Sequence, residues 1–279
     1  MTLPVVDYTD KNAPAQFVKS LKETGFGVLK NHPINQSVVE SIYHNWQNFF
    51  NSNKKNNFAF DPEKQDGYFS SEVSETAKGH NQKDIKEYFH VYPWGRIPES
   101  LKVEILNYYQ MASNLAGELL DWVEEYSPEE VAINYSQPLS SMIQNTPNTL
   151  LRILHYPPLT GTESAGSIRA AAHEDINLLT ILPAANEPGL QVQTQDDTWL
   201  DVPSDFGNLI INTGDMLQEA SSGYFRSTTH RVINPIGNAS SKSRVSLPLF
   251  LHPRSEVKLS EKHTQASYLL ERLRELGVK

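Results

Sequence analysis

Two short stretches bound the region that decides the fold. Residues 171–180 read Ala-Ala-His-Glu-Asp-Ile-Asn-Leu-Leu-Thr, and residues 226–232 read Arg-Ser-Thr-Thr-His-Arg-Val. His173 and Asp175 are two positions apart, so on a β-strand they would face the same side. His230 follows Asp175 by 55 residues, inside another run rich in Thr, Val and Ile. If both runs are strands, the two imidazoles and the carboxylate face the same side of the sheet.

This set of donors predicts a metal site with open coordination positions. Two histidines and one carboxylate on one face of a metal are typical of non-haem iron(II) oxygenases, in which the other face accepts O2 and an organic co-substrate. The alternative is that His173 and Asp175 are ordinary polar residues, because an isolated His-x-Asp pair carries little information by itself. The residues around the pair therefore decide between the two interpretations.

The composition indicates a folded, acidic protein. The chain has 279 residues, of which 38% are hydrophobic and 20% charged, with a net charge of −9 and no cysteine. The charge argues against nucleic acid and an anionic membrane surface as partners, and the lack of cysteine excludes disulfides and thiol nucleophiles. The first residues lack the pattern of a signal peptide, and no apolar run reaches the roughly 18 residues of a membrane helix. We therefore expect a cytoplasmic protein.

Hydrophobic spacing predicts helices and a few strands in the N-terminal half. Helical intervals recur over residues 13–23, 37–50 and 99–125, and strand-like runs cover 3–8, 25–32 and 84–92. Residues 51–80 are polar and predict a loop that forms a lid or flap. A final helix is expected over 260–276. Its predicted apolar side consists of Ala266, Leu269, Leu270, Leu273 and Leu276.

From about residue 148, short runs rich in Val, Ile, Leu and Thr alternate with turn residues. The predicted strands span 150–156, 177–182, 190–194, 209–212, 228–233 and 244–251. This spacing predicts a sandwich or barrel, and a jelly roll of this kind can enclose a pocket between two sheets. We therefore predict one domain over residues 1–279. It divides into an N-terminal α/β support region (1–147), a β core that carries the metal site (148–255) and a C-terminal helix (256–279).

A second pair of polar residues lies near the end of the β core. Arg244 and Ser246 are two positions apart on a predicted strand, and a guanidinium can grip a carboxylate through two parallel hydrogen bonds. Tyr156 could donate to the same carboxylate. The alternatives are a surface ion pair for Arg244 and a core position for Tyr156.

Several nearby residues are predicted to have other roles. Strand alternation turns His155 away from Tyr156 and Glu174 away from the proposed ligands. Gly214 is expected to allow either a positive φ or a close backbone approach, and Asp215 to satisfy local backbone donors.

The order of motifs in the β core resembles a known family. Between about Leu151 and Pro253 the chain is similar to the iron(II)/2-oxoglutarate-dependent dioxygenases, in the branch that includes isopenicillin N synthase. The matching motifs are Gly189-Leu190-Gln191-Val192, Asn212-Thr213-Gly214-Asp215-Met216-Leu217-Gln218, His230-Arg231-Val232 and Arg244-Val245-Ser246. Residues 25–32 and 84–89 extend the resemblance into the N-terminal half.

The resemblance implies a mainly β fold, a double-stranded β-helix or jelly roll with helices supporting one sheet. It implies that His173, Asp175 and His230 bind Fe(2+). By the same resemblance, Arg244 and Ser246 hold the distal carboxylate of 2-oxoglutarate. Tyr156 matches the tyrosine of the family's Asn-x-Tyr element, but Leu154 stands where the asparagine often is.

The predicted function is that of an iron(II) oxygenase that uses 2-oxoglutarate and O2. It would couple oxidative decarboxylation of 2-oxoglutarate to oxidation of a C–H bond in a small molecule, whose identity the sequence leaves open. One alternative is an iron oxidase similar to isopenicillin N synthase that does not use 2-oxoglutarate. Another is a jelly-roll protein that binds a metal or ligand without turnover. The sequence predicts no oligomeric state.

Overall fold

A computed structural model describes the chain over residues 3–73, 84–163, 167–185, 187–203, 205–235 and 237–275. Its helices are α1 (Ala13–Thr24), α2 (Gln36–Phe50), α3 (Glu99–Glu125), α4 (Glu129–Ala132), α5 (Leu139–Met142), α6 (Asp215–Ala220) and α7 (Gln265–Glu275). Its strands are β1 (Val5–Asp7), β2 (Phe26–Lys30), β3 (Gly67–Phe69), β4 (Glu87–Val91), β5 (Leu150–Tyr156), β6 (Ala170–His173), β7 (Leu179–Pro183), β8 (Leu190–Gln193), β9 (Trp199–Asp201), β10 (Leu209–Thr213), β11 (His230–Val232), β12 (Arg244–Ser246) and β13 (Leu249–Phe250).

Local sequence explains where α1 ends and where α2 begins. Gly25 follows α1 with φ of 74°, a left-handed conformation that costs glycine no steric strain. Asn35 precedes α2, and its side-chain oxygen accepts a hydrogen bond from the Ser37 N–H at 2.9 Å. Removing a cap of this kind costs about 1 kcal/mol.

The strands form two facing sheets. The larger sheet has the order β1-β2-β10-β7-β13-β5-β4-β3, and β12 also pairs with β5. The smaller sheet has the order β6-β11-β8-β9. In the larger sheet β1 and β2 run parallel, whereas β2 pairs with β10 in antiparallel orientation. N-terminal strands therefore extend the same sheet that the β core forms.

One face of the larger sheet packs on helices, and its other face lines the space between the sheets. Phe89 and Val245 belong to the core cluster that contains Trp46 of α2. Tyr156 on β5 belongs to a second cluster, with Val192 of the smaller sheet. Trp46 is fully buried, and truncating such a residue to alanine would cost about 3–5 kcal/mol. The predicted jelly-roll core with helices on one sheet is confirmed.

The loop predicted over residues 51–80 is wrong at two places in the part that the structure describes. A 3-10 helix spans Asn53–Phe58, and β3 joins the larger sheet beside β4. The Phe69 ring stacks on Tyr88 with centroids 4.7 Å apart. A few aromatic residues thus anchor a segment whose composition is mostly polar. Residues 74–80 of the predicted flap lie outside the described residues.

Two further predictions need correction. The strand predicted over 244–251 is divided into β12 and β13, because Pro248 has no N–H to donate to a ladder. Helix α7 buries Gln265 and Tyr268, whereas Ala266 and Leu270 of the predicted apolar side are exposed. Leu276 lies outside the described residues. None of the described helices is long and apolar enough to cross a membrane.

Candidate metal centre

Three predicted ligands converge at one end of the smaller sheet. His173 is the last residue of β6, His230 is the first of β11, and the two are directly paired across these antiparallel strands. The Nε2 atoms of His173 and His230 lie 3.9 Å and 3.8 Å from Asp175 Oδ1. The candidate ligand atoms all lie within 4.8 Å of one another. This group is therefore compact enough to hold a metal ion.

Backbone carbonyls fix the orientation of both imidazoles. His173 Nδ1 lies 2.7 Å from the Ala171 carbonyl oxygen, and His230 Nδ1 lies 3.1 Å from that of Thr228. A carbonyl only accepts, so each Nδ1 carries the proton and donates it. Each Nε2 then presents a lone pair, the form in which histidine binds a metal. Two imidazole nitrogens and a carboxylate oxygen fit iron(II) with open positions.

Asp175 does not lie on the predicted strand, because β6 ends at His173. Its backbone oxygen accepts a hydrogen bond from the Asp215 N–H at 2.7 Å. Its side-chain Oδ2 accepts from Thr180 Oγ1 at 2.5 Å and from Asn212 Nδ2 at 2.8 Å. These bonds leave Oδ1 directed at the two histidines. The loop, rather than the pleat of a strand, therefore positions the carboxylate.

Burial and neighbouring charges shift the pKa values of both Asp175 and His173. Burial alone would raise the pKa of Asp175, but the two imidazoles and the bonds from Asn212 and Thr180 outweigh it, so the pKa is lowered. Burial, followed by the charge of His230, lowers the pKa of His173 to about 4. The His173 side chain is still 39% exposed, so we expect solvent to screen part of this shift. A neutral imidazole beside an ionised carboxylate is the state ready for a metal.

Gly214 supports the loop by close packing. Its φ is −105°, so no left-handed conformation requires glycine. A Cβ at this position would instead overlap the backbone and side chain of Asn177. Of the two predicted reasons for this glycine, the close approach is confirmed. The tight contact lets α6 begin directly against the loop that carries Asp175.

The second predicted pair lies on the inner face of the larger sheet. Arg244 is directly paired with Tyr156 across β12 and β5, and Ser246 is paired with Leu154. Arg244, Ser246 and Tyr156 are 3%, 3% and 2% exposed. The surface alternative for Arg244 is therefore wrong. Its Nε donates to the Glu187 carbonyl at 3.0 Å, while Nη1 is buried without a partner in the described chain.

Most of the neighbouring residues behave as predicted. Glu174 is exposed and accepts a hydrogen bond from Thr229. The ring of His155 stacks on Phe50 of α2, on the side away from the pocket. Asp215 differs from its prediction, because its Oδ1 is buried and unpartnered rather than bonded to backbone donors in the described chain.

Several residues around the pocket have no role in the sequence predictions. Asn212 lies within a quoted motif, but that motif did not indicate its bond to Asp175. Asp84 bonds to the Ala171 N–H at 3.0 Å and pairs with Lys86 at 2.7 Å. Arg169 is fully buried, and no sequence pattern indicated it, because it precedes β6 and the pairing of that strand with β11 is irregular.

Comparisons with known proteins agree with this geometry. Residues 147–253 match the family model of the 2OG-Fe(II) oxygenase superfamily. Residues 3–126 match a second family model, which describes the N-terminal region of the non-haem dioxygenase in morphine synthesis. A Shewanella oneidensis protein described as an oxygenase is 62% identical over 100% of both chains, and its crystal structure superposes with a TM-score of 0.92. The chain belongs to the 2OG-Fe(II) oxygenase superfamily.

Other relatives extend this assignment. Gibberellin 2-beta-dioxygenase 3 of Arabidopsis thaliana is 26% identical over 92% of this chain and 77% of its own length. A 2OG-Fe(II) oxygenase family protein of Caulobacter crescentus is 27% identical, with coverage of 98% and 99% and a TM-score of 0.83. The prediction of an iron(II)- and 2-oxoglutarate-dependent oxygenase is confirmed. This oxidoreductase uses Fe(2+), 2-oxoglutarate and O2.

Proposed function

We propose that His173, Asp175 and His230 bind the iron of this oxygenase, and that Arg244, Ser246 and Tyr156 hold the distal carboxylate of 2-oxoglutarate. One observation carries the proposal. Three donors with both Nε2 atoms free converge within 4.8 Å of one another. His230 contacts Phe26, which belongs to the same interior cluster as Tyr156, the cross-strand partner of the buried Arg244.

The binding residues have complementary chemistry. A buried guanidinium can form two parallel charge-assisted bonds to a carboxylate, and the Ser246 hydroxyl on the same face of β12 can donate a third. Tyr156, directly across from Arg244, can donate from its phenol. With Leu154 in place of the frequent asparagine, an apolar side chain borders this end of the pocket. Iron, when bound, supplies the oxygen chemistry, while the protein binds, orients and excludes water.

A small organic molecule is the proposed substrate. Solved relatives hold such molecules: a Neurospora crassa protein binds thymine, and JOX2 binds JA. The net charge of −9 disfavours nucleic acid as a partner of this chain. We also propose that residues 1–279 form one domain with the three regions predicted above, since strands of both halves share the larger sheet. A cytoplasmic location remains a prediction, and fractionation of cells would test it.

The test measures succinate formation by the iron-loaded protein. With 2-oxoglutarate and O2, we expect succinate even without the substrate, at a low uncoupled rate, and none from an Asp175→Ala variant. Glu174→Gln changes an adjacent but exposed carboxylate and should retain the activity. O2 consumption without succinate would contradict the proposal and favour an oxidase that does not use 2-oxoglutarate. Iron binding without any O2 consumption, with the small-molecule substrates of its relatives also supplied, would favour the non-catalytic alternative.

A further inference from the structure

Arg169 is a buried cation close to the proposed co-substrate site. None of its surface is exposed. It lies one residue before β6, whose pairing with β11 is irregular, because His230 pairs with His173 but Val232 pairs with Ala170. Because it is fully buried, Arg169 does not act at the surface of the protein.

Arg169 and Arg244 approach the same aromatic ring. The guanidinium carbons of Arg169 and Arg244 lie 5.8 Å and 5.3 Å from the Tyr156 ring centroid. The Arg169 Nη2 donates to the Lys242 carbonyl at 3.0 Å, two residues before Arg244. The guanidinium of Arg169 thus lies beside the start of β12, at the end of the pocket where the co-substrate carboxylate is proposed to bind.

Both guanidinium groups have donors that nothing in the described chain satisfies. Arg169 Nε and Nη1, and Arg244 Nη1, are buried without a hydrogen-bond partner. An unsatisfied buried donor is costly, and more so when it carries charge. Burial and the charge of Arg244 also lower the pKa of Arg169. The positive charges of Arg169 and Arg244 are therefore only partly balanced, as expected of a site that receives an anion.

The nearby carboxylates are already engaged. Glu187 pairs with Lys242 at 3.3 Å, and only its backbone carbonyl bonds to Arg244. Asp84 pairs with Lys86 at 2.7 Å. No hydrogen bond joins a carboxylate to either buried arginine among the described residues. The described residues therefore leave both guanidinium groups without a hydrogen-bonded carboxylate, as a site for an anionic ligand requires.

We propose that Arg169 is a second guanidinium of the 2-oxoglutarate site and that Arg169 and Arg244 together hold the distal carboxylate beside Tyr156. The inference rests on the proposed function of Arg244. Two cations on one carboxylate strengthen selection for a co-substrate that carries this second negative group. Arg169 is thus a binding and specificity residue, with no part in the oxidation itself.

The test compares two keto acids that differ only at the distal end. 2-Oxopentanoate has the carbon chain of 2-oxoglutarate without the distal carboxylate. Each is titrated anaerobically into the iron(II)-loaded protein, and the visible charge-transfer band reports binding. In Arg169→Gln we expect the Kd for 2-oxoglutarate to rise about 10- to 100-fold, the effect of losing charge-assisted bonds. The Kd for 2-oxopentanoate should stay within about threefold.

A damaged pocket would give a different result from a lost carboxylate contact. If both Kd values rise together, or if the Kd for 2-oxoglutarate changes by less than about twofold, the inference is overturned. Arg169→Lys keeps the charge but not the fork of donors, and should give an intermediate loss for 2-oxoglutarate alone. This variant also serves if Arg169→Gln does not fold, as judged by its thermal transition. A wild-type protein that shows no band with 2-oxoglutarate would overturn the proposed function as well.

Discussion

His173 and His230 face each other directly across β6 and β11, with ring centroids 4.4 Å apart. The pairing joins two strands of one sheet, so the ladder sets the separation of the imidazoles. A one-residue slip in register would turn one of them to the other face of the sheet. Asp175 then completes the group from the adjoining loop. The strand pairing and the hydrogen bonds around Asp175 therefore together determine the proposed iron site.

The first prediction concerns the bond from Asn212 to Asp175. Asn212→Ala removes one of the two side-chain donors to Oδ2, so the carboxylate is held less firmly. We expect iron(II) affinity to fall about 10- to 100-fold, as is usual when a partner of a metal ligand is lost. Competition with a chelator measures this affinity. Asn114→Ala, an exposed position on α3, is the matched control, and equal affinities in the two variants would contradict the assignment.

The second prediction concerns the packing of Gly214 against Asn177. Gly214→Ala forces a Cβ into backbone atoms, and we expect a loss of about 1–3 kcal/mol in the free energy of unfolding. Gly117→Ala is the control, because a Cβ in that part of α3 meets nothing within 4 Å. The control should gain up to about 1 kcal/mol from helix propensity. Urea unfolding measures both, and equal effects would contradict the close-packing account.

The third prediction concerns Arg244. Arg244→Gln should raise the KM for 2-oxoglutarate about 10- to 100-fold, since a charged bidentate contact is lost. Arg231→Gln is the control, because Arg231 stacks on Trp199 at 3.9 Å and bonds to Gln191. Succinate formation over a range of 2-oxoglutarate concentrations gives both values. A similar rise in the two variants would show that loss of a nearby positive charge, rather than of the proposed contact, weakens binding.

The fourth prediction concerns pH. Burial lowers the pKa of His252 to about 4 from an ordinary value of 6.5. Between these values the unfolded chain binds a proton that the folded protein does not. The contribution of His252 to the free energy of unfolding should therefore fall as the pH decreases from about 6.5 to about 4.

Chemical denaturation of the metal-free protein at several pH values tests this prediction. Between pH 7 and pH 5 the wild type should lose more stability than His252→Asn, whose amide does not titrate in this range. Parallel stability curves for the two proteins would contradict the assigned cause. Comparing the variants cancels the titration of His173, which both retain.

Sequence patterns predicted the fold well because strand alternation sets which side chains face inward. Arg244 and Ser246 face inward while Val245 packs towards the helices, as a period of two requires. The same reasoning brought His173 and Asp175 together, although Asp175 lies beyond the strand. Its position depends on the Asp215 N–H, forty residues away, and no local pattern contains that bond.

Other features depend on contacts that the sequence does not encode locally. The polar composition of residues 51–80 concealed β3, which is held by a few aromatic contacts such as Phe69 with Tyr88. The buried face of α7 is set by what it packs against, so Leu270 is exposed and Tyr268 is buried. Arg169 lies just before β6, and only the structure reveals its unpartnered donors and its place beside Tyr156.

The most direct measurement is the visible spectrum of the protein under anaerobic conditions with iron(II) and 2-oxoglutarate. We predict a weak charge-transfer band in the wild type and in Glu174→Gln, because the exposed Glu174 does not face the metal. His173→Ala should lose the band, since one of the three ligands is gone. A band of undiminished intensity in His173→Ala would show that the iron is bound elsewhere and would contradict the proposed site.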